Sequence, residues 1–260
     1  MLNQIIPYMW FFFIYAFLGW CTEVIYMASC HGKFVNRGFL NGPACPIYGF
    51  GMVLVVWCLT PLKDNVLLLF VGSVLLTTLI ELLTGFCLER FFHNQWWDYS
   101  NLPFNFHGYI CLKFSLIWGI ACMLVMDIVH PAVEKMTAVL VSKPGYILLA
   151  VCCLAMLADT IETICDILKF NKRLAKIDEV AQRLHQLSEE IGSNLSESTI
   201  TAMEKGEEWK EAKEQLEKLL SQKIYANRML RAFPDMKNRT HGEALSRLKE
   251  STQRSKKETR

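Results

Sequence analysis

Hydrophobic residues dominate five runs in the first two thirds of the chain, at about 6–29, 44–61, 66–90, 111–129 and 146–168. Each is close to the ~20 apolar residues that a helix needs to cross a bilayer core. Pro43, Pro46 and Pro61 bracket the second run, and Pro144-Gly145 precedes the fifth, as punctuation between helices. Beyond residue 168 the pattern changes. Leu174, Ile177, Ala181, Leu184, Leu187 and Ile191 recur at spacings of three and four, the seam of an amphipathic helix. Gly192 and a Ser/Thr-rich stretch interrupt it. Trp209, Ala212, Leu216, Leu219, Ala226, Leu230 and Phe233 then resume the seam, Lys223 breaks it once, and Pro234 ends it. Thr201 with Glu204, and Thr240 with Glu243, have the spacing of capping boxes. The pattern predicts an all-α polytopic membrane protein. It comprises a transmembrane domain of about five helices over 1–168, an amphipathic helical tail over 169–236 forming a hairpin or coiled coil, and a basic, flexible end over 237–260.

A repeat lies inside the apolar runs. Gly19-Trp20-Cys21-Thr22-Glu23-Val24-Ile25-Tyr26 is matched 66 positions later by Gly85-Phe86-Cys87-Leu88-Glu89-Arg90-Phe91-Phe92, both reading Gly-aromatic-Cys-x-Glu-x-apolar-aromatic. At the same offset Gly42 and Cys45 answer to Gly108 and Cys111. The spacing predicts a duplicated, parallel two-helix unit, because an even number of spans separates the copies.

Charge divides the chain in the same place. Residues 1–168 hold 7 Lys/Arg and 10 Asp/Glu, and residues 169–260 hold 20 and 15, giving −3 and +5. Lys169, Lys172, Arg173 and Lys176 crowd the exit of the fifth run, so the bias of basic residues puts the C-terminus in the cytosol and the N-terminus outside. Lys33, Arg37 and Arg90 on the inner loops support this mildly. The expected location is the bacterial cytoplasmic membrane. No basic residues precede the first run, so it does not read as a cleaved signal. All ten cysteines lie before residue 166, mostly within apolar runs, where a thiol behaves as a small hydrophobe.

The remaining polar residues in the runs fall in stripes. Tyr15, Gly19 and Glu23 share one helix face; Thr77, Glu81, Gly85 and Glu89 share another; Asp159, Glu162 and Asp166 follow i, i+3 and i+7. Acids facing lipid are costly, so such stripes turn toward one another or toward a cavity. Glu23, Glu81, Glu89, Asp159 and Glu162 are the candidate substrate- or ion-binding carboxylates, with Arg37 or Lys113 balancing charge. The loop 36–49 interleaves turn formers with apolar residues and fits a tight turn or a re-entrant segment, tolerated where protein or water satisfies its backbone. Trp96-Trp97-Asp98-Tyr99-Ser100 suits the headgroup level, where aromatic rings anchor; Asp98 is a further candidate that anchoring leaves unexplained.

No phosphate loop, nucleophile elbow or H-E-x-x-H occurs, and no close His or Cys pair suggests a metal. Enzymatic activity, a cofactor and a nucleic-acid partner are therefore not expected. The bilayer is the expected partner, with the tail helices offering a route to a homo-oligomer.

The run Leu18-Gly19-Trp20 with Glu23, the loop Asn36-Arg37-Gly38-Phe39-Leu40-x-Gly42-Pro43, and Pro46-Ile47-Tyr48-Gly49 resemble the CmpB-like ABC-transporter type IV membrane proteins. So do Glu81, Glu89, Trp97-Asp98-Tyr99-Ser100, Gly108, Cys111 and Ser115-Leu116-x-Trp118-Gly119. The resemblance covers about residues 8–165. It implies a bacterial permease whose ATPase, if coupled, is a separate subunit docking on the inner loops or tail. It carries no substrate. Two alternatives stay open: a membrane-embedded enzyme acting on lipid or envelope precursors, with Glu23 or Asp98 as acid/base, and a non-transporting scaffold or sensor that anchors the helical tail.

Overall fold

The computed structural model describes residues 2–32, 34–193, 199–221 and 226–258. Lys33, Lys223 and part of the Ser/Thr-rich linker lie outside them, as do the side chains of Thr201 and Glu204. The described chain is almost wholly helical. Helix α1 spans Leu2–His31, α2 Pro46–Leu59, α3 Val66–Phe92, α4 Leu112–Leu124 and α5 His130–Leu140. These are followed by α6 Lys143–Ser193, α7 Thr199–Ser221, α8 Ala226–Ala232 and α9 Gly242–Glu258. Four helices, counting α4 through α5 as one, are long and apolar enough to cross a membrane. The protein is an all-α, multi-pass membrane protein.

The second apolar run departs from expectation. Helix α2 has 14 residues, extended by a 3-10 turn over Thr60–Leu62. At 1.5 Å per residue the α-helix is ~21 Å long, short of a ~30 Å bilayer core. The missing length is supplied by the preceding loop. The Cys45 amide donates to the Ala16 carbonyl at 2.9 Å, fifteen residues back from the end of α1, or ~22 Å along its axis. Residues 34–45 therefore fold back along α1 before α2 begins, as a re-entrant segment. The 94–111 connection does the same beside α3: the Tyr99 phenol reaches Glu81, eleven residues or ~16 Å from the helix end. Antiparallel β2 (Asn105–Phe106) and β3 (Ile110–Cys111) stiffen this loop.

Local chemistry explains the helix ends. Pro46 occupies the first turn of α2, where no amide is needed. Asn65 caps α3 by accepting from the Leu67 and Leu68 amides, both at 3.1 Å. His93 ends α3 in the left-handed region, with φ 57°. Between α4 and α5 the chain forms a π-turn over Val125–Val129. Pro131 follows directly and supplies no amide to the helix ladder, a common reason for such a bulge. The interior of the membrane bundle is apolar, built on Phe11, Val55, Val56, Leu69 and Met126.

Helix α6 runs 51 residues without a break, about 75 Å. Its outer half leaves the bundle and pairs antiparallel with α7, tied by Arg183–Glu208 and Lys205–Glu190. The tail seam thus closes as a hairpin within one chain, and α9 covers the rest of it. Phe170, Leu174, Ile177, Met236, Leu245 and Leu248 form one buried cluster.

Two expectations about polar segments are corrected. The 237–258 region is not a frayed end. Residues Lys237–Asn238 form β4, which pairs antiparallel with β1 (Asn94–Gln95) of the second re-entrant loop, and Ala244, Leu245 and Leu248 of α9 are buried. Composition alone suggested solvation; a three-residue apolar stripe on a short basic helix was enough to dock it. Asn238, not Thr240, caps the approach to α9, accepting from the Thr240 and His241 amides. Trp96 and Trp97 are not lipid anchors either. Trp96 is buried against Phe39 and Phe92, and the Trp97 indole donates to the Tyr109 carbonyl. The loop folds inward, so exposure passes to Phe91, Phe104 and Phe106.

Candidate functional site

The acids collect at the end of the bundle that carries the tail, and each of the three glutamates is met by a tyrosine, Tyr48 from the first turn of α2 and Tyr99 and Tyr109 from the 94–111 loop. Tyr48 donates to Glu23 at 2.6 Å, Tyr109 to Glu89 at 2.7 Å and Tyr99 to Glu81 at 3.2 Å. The repeated glycine explains two of these contacts. Gly19 lies one turn before Glu23, and a Cβ there would overlap the Tyr48 ring; Gly85 lies one turn before Glu89, and its Cβ would come 3.0 Å from the Tyr109 ring. Glycine lets the ring lie flat on the helix so that its hydroxyl reaches the carboxylate one turn on. Cys45 and Cys111 occupy the residue before α2 and α4 respectively, and both are buried. Both segments share the order helix, returning loop, buried cysteine, helix, but their tyrosines do not correspond: Tyr48 stands three residues after Cys45 and Tyr109 two residues before Cys111.

Their cations differ. Arg37 pairs with Glu23 at 3.5 Å and comes from the loop of the same copy. Tyr48 and Trp118 link the Glu23 and Glu81 groups, their rings edge to face at 5.7 Å, with the Trp118 indole beside Glu81. Glu89 instead pairs with Arg239, and Asp98 with Lys237, both from the tail strand. Burial alone would raise the pKa of Asp98; the Lys237 ammonium and the Ser100 hydroxyl and amide outweigh it and hold the carboxyl below its ordinary range.

Glu81 is the exception. It is 9 % exposed, and its Oε2 is buried with no hydrogen-bond partner among the described residues. No described cation forms an ion pair with it. A buried carboxylate without a counter-charge is costly, so this group either carries a proton or awaits a cation.

The other candidates separate. Asp159 accepts from the Asn41 amide at 3.0 Å and the Gly42 amide at 2.7 Å, so α6 holds the first re-entrant loop by its backbone. Gly42 admits this contact, since a Cβ would meet the carboxylate at 2.9 Å. Glu162 is exposed, and Asp166 pairs with Lys169 at 3.3 Å. Lys113 is exposed and lies over the Phe114 ring rather than beside an acid. Helical spacing is only approximate at i+3, and only the Asp159–Thr163–Asp166 side of α6 turns inward. The residues that sequence reading missed are the tyrosines as partners, and Lys237, Arg239 and Arg228 as tail contacts. Arg228 donates to the Leu40 carbonyl at 2.7 Å and the Phe39 carbonyl at 3.1 Å. Tyr48 and Tyr99 stand within the loop motifs and Tyr109 beside Gly108, and the need of each acid for a donor was the signal available. The grooves of about 290 and 410 Å³ on the bundle are lined chiefly by apolar residues such as Val53, Phe12 and Phe50 and lie away from the acids.

A family model described as Putative ABC-transporter type IV matches residues 10–164. The chain belongs to this family. The matched segment runs from α1 into α6 and includes all three glutamate–tyrosine pairs, Arg37, Asp98 and Asp159. It stops before Arg228, Lys237 and Arg239. No solved structure matches the chain.

Proposed function

We propose that this ABC-transporter-related protein is a transport-type permease whose ion- or substrate-binding group is Glu81, flanked by the Glu23–Arg37 and Glu89 groups and open toward the cytosol. The observation that carries this reading is the unpartnered, buried Oε2 of Glu81, set beside two re-entrant segments. Re-entrant backbone at membrane depth is tolerated where it lines a path or is covered by protein, and transporters build midplane sites from such interrupted elements. On this reading Arg37 is a fixed counter-charge, Tyr48 and Tyr99 orient the carboxylates, and a proton or small cation is the species that visits Glu81. The chain has no phosphate loop, so a separate ATPase subunit would supply any ATP coupling, docking on the tail-side surface of the loops or on α6–α7. The membrane would be the bacterial cytoplasmic membrane, with the N-terminus outside and the tail in the cytosol.

The test is reconstitution of the full chain in liposomes, with proton and monovalent-cation flux followed by entrapped dyes. Flux that is lost in Glu81→Gln while helicity and thermal stability persist supports the reading. Absence of flux in the unaltered chain, together with no ATPase co-purifying from native membranes, overturns it.

One observation favours a second reading, a non-transporting scaffold or sensor. The tail grips both re-entrant loops, through Arg228 on one and β4 on the other, and so links the loops to the α6–α7 hairpin mechanically. That reading expects Glu81→Gln to be silent and Arg228→Ala to abolish function.

A further inference from the structure

The ion pairs between tail and membrane domain are asymmetric in a way that bears on access. The acidic partners are buried: the side chains of Asp98 and Glu89 are 6 % and 8 % exposed. The basic partners lie in the open, with Lys237 61 % and Arg239 64 % exposed. Such cations are screened by salt and exchange readily with others. Their carboxylates are not so free, because a buried acid that loses its partner keeps its desolvation cost. What leaves must therefore be replaced by a proton or by another cation. The backbone attachment is equally slight. Strand β4 pairs with β1 over two residues, extended by the Arg239 amide donating to the His93 carbonyl at 3.1 Å. A two-stranded ribbon of this length has little stability of its own.

The flanks are firm by contrast. Met236 before the strand is 1 % exposed, and α9 after it is anchored on α6 by Leu245 and Leu248. His241 holds Asp178 of α6 at 2.7 Å. Asn238, between the two cations, is buried and donates to Asn94, which in turn bonds Asn171 of α6. Between these flanks the segment is held by two exposed cations, a two-residue ladder and one buried side-chain anchor, Asn238, so a small number of polar contacts must part for it to lift as a strap.

We propose that Lys237-Asn238-Arg239 is a releasable strap over Asp98 and Glu89 on the tail side of the membrane domain, its Arg239 occupying Glu89 as a built-in stand-in for a cationic ligand. Glu89 lies two turns from Glu81 on the same face of α3, on the tail side, so a cation travelling between the cytosol and Glu81 meets Glu89 first and displaces Arg239 to do so. The ligand class is a monovalent cation able to donate two hydrogen bonds to a carboxylate, such as a guanidinium or primary ammonium group. The route to Glu81 rests on the proposed function; release of the strap does not.

Hydrogen exchange by mass spectrometry on the full chain in nanodiscs tests release, with ethylguanidinium as the probe and tetramethylammonium at equal ionic strength as the control. Ethylguanidinium is expected to speed exchange at residues 237–239 by about fivefold or more, with α9 and the α6–α7 hairpin unchanged. Arg239→Gln should show that faster exchange without any probe. Glu89→Gln should remove the difference between the two salts. Equal exchange in both salts overturns the proposal, as does loss of protection in α9 together with the strap, which would make the segment part of a static clamp. Proteoliposome flux separates the two levels: exchange behaviour as expected with no flux leaves the strap standing and removes the permease reading.

Discussion

The two repeat copies make a controlled comparison. Copy one closes on itself: Glu23 takes its phenol from Tyr48 and its cation from Arg37, both within 25 residues along the chain. Copy two borrows. Glu89 takes its phenol from Tyr109 twenty residues on, but its cation from Arg239, 150 residues on in the tail. The same glycine and carboxylate thus serve a group whose cation is local and half-buried in one half, and a more deeply buried acid whose cation is distant and exposed in the other. The asymmetry between the two halves comes from a single distant segment of the tail.

The sharpest way to break this comparison is at the glycines. A Cβ at Gly19 would overlap the Cβ and Cγ of Tyr48, which cannot swing aside, whereas at Gly85 the nearest atoms stand at 3.0–3.5 Å. Gly19→Ala should therefore destabilise by about 2–3 kcal/mol and Gly85→Ala by about 1 kcal/mol, read by thermal unfolding in detergent. Equal losses would mean that the two rings are not seated alike. Removing the phenols comes next. Tyr48→Phe and Tyr109→Phe each leave a carboxylate oxygen without its donor, at a cost of about 1–3 kcal/mol. The loss should be larger at Tyr48, because Glu23 keeps only Arg37 at 3.5 Å while Glu89 keeps the closer Arg239.

The cations should give smaller effects that differ in kind. Arg37→Gln is expected to lower the stability of the membrane domain. Arg239→Gln removes the counter-charge of the buried Glu89, which keeps its Tyr109 donor, and should cost about 1–2 kcal/mol while loosening the strap. Limited proteolysis after Lys237 distinguishes them: faster cleavage in Arg239→Gln, none in Arg37→Gln. The smallest effect is with pH. The carboxyl of Asp98 sits below its ordinary range, so its contribution is present in full above about pH 4 and is lost as pH falls through the lowered value. Strap exchange should therefore rise below about pH 4, and Asp98→Asn should show the low-pH rate at neutral pH, in the same exchange measurement.

Much of the membrane half was legible in the chain. The apolar runs placed α1, α3, α4 and α6 because a bilayer demands long uniform segments, and the stripes Tyr15–Gly19–Glu23 and Thr77–Glu81–Gly85–Glu89 do turn inward. Asp159 was legible as a polar group but not as a holder of the Asn41 and Gly42 amides, since backbone contacts leave no trace in residue type. Glu162 is exposed because i+3 spacing spreads over a wide arc of a helix, and Lys113 because a place at the start of α4 says nothing of the direction it faces. The length of α2 was hidden by its loop, whose apolar residues continue the run although the chain there is not helical.

Membrane insertion, the all-α class and the glycine–carboxylate pairing followed from the sequence by itself, because each depends on local composition and on a period of one helical turn. Only the tertiary structure decided which tyrosine meets which acid, that Trp96 faces inward, and that the basic end returns to Glu89 and Asp98. Those are contacts between residues far apart in the chain. They are chosen by shape and by the need of buried charge for a partner, and neither has a period that a linear pattern can carry.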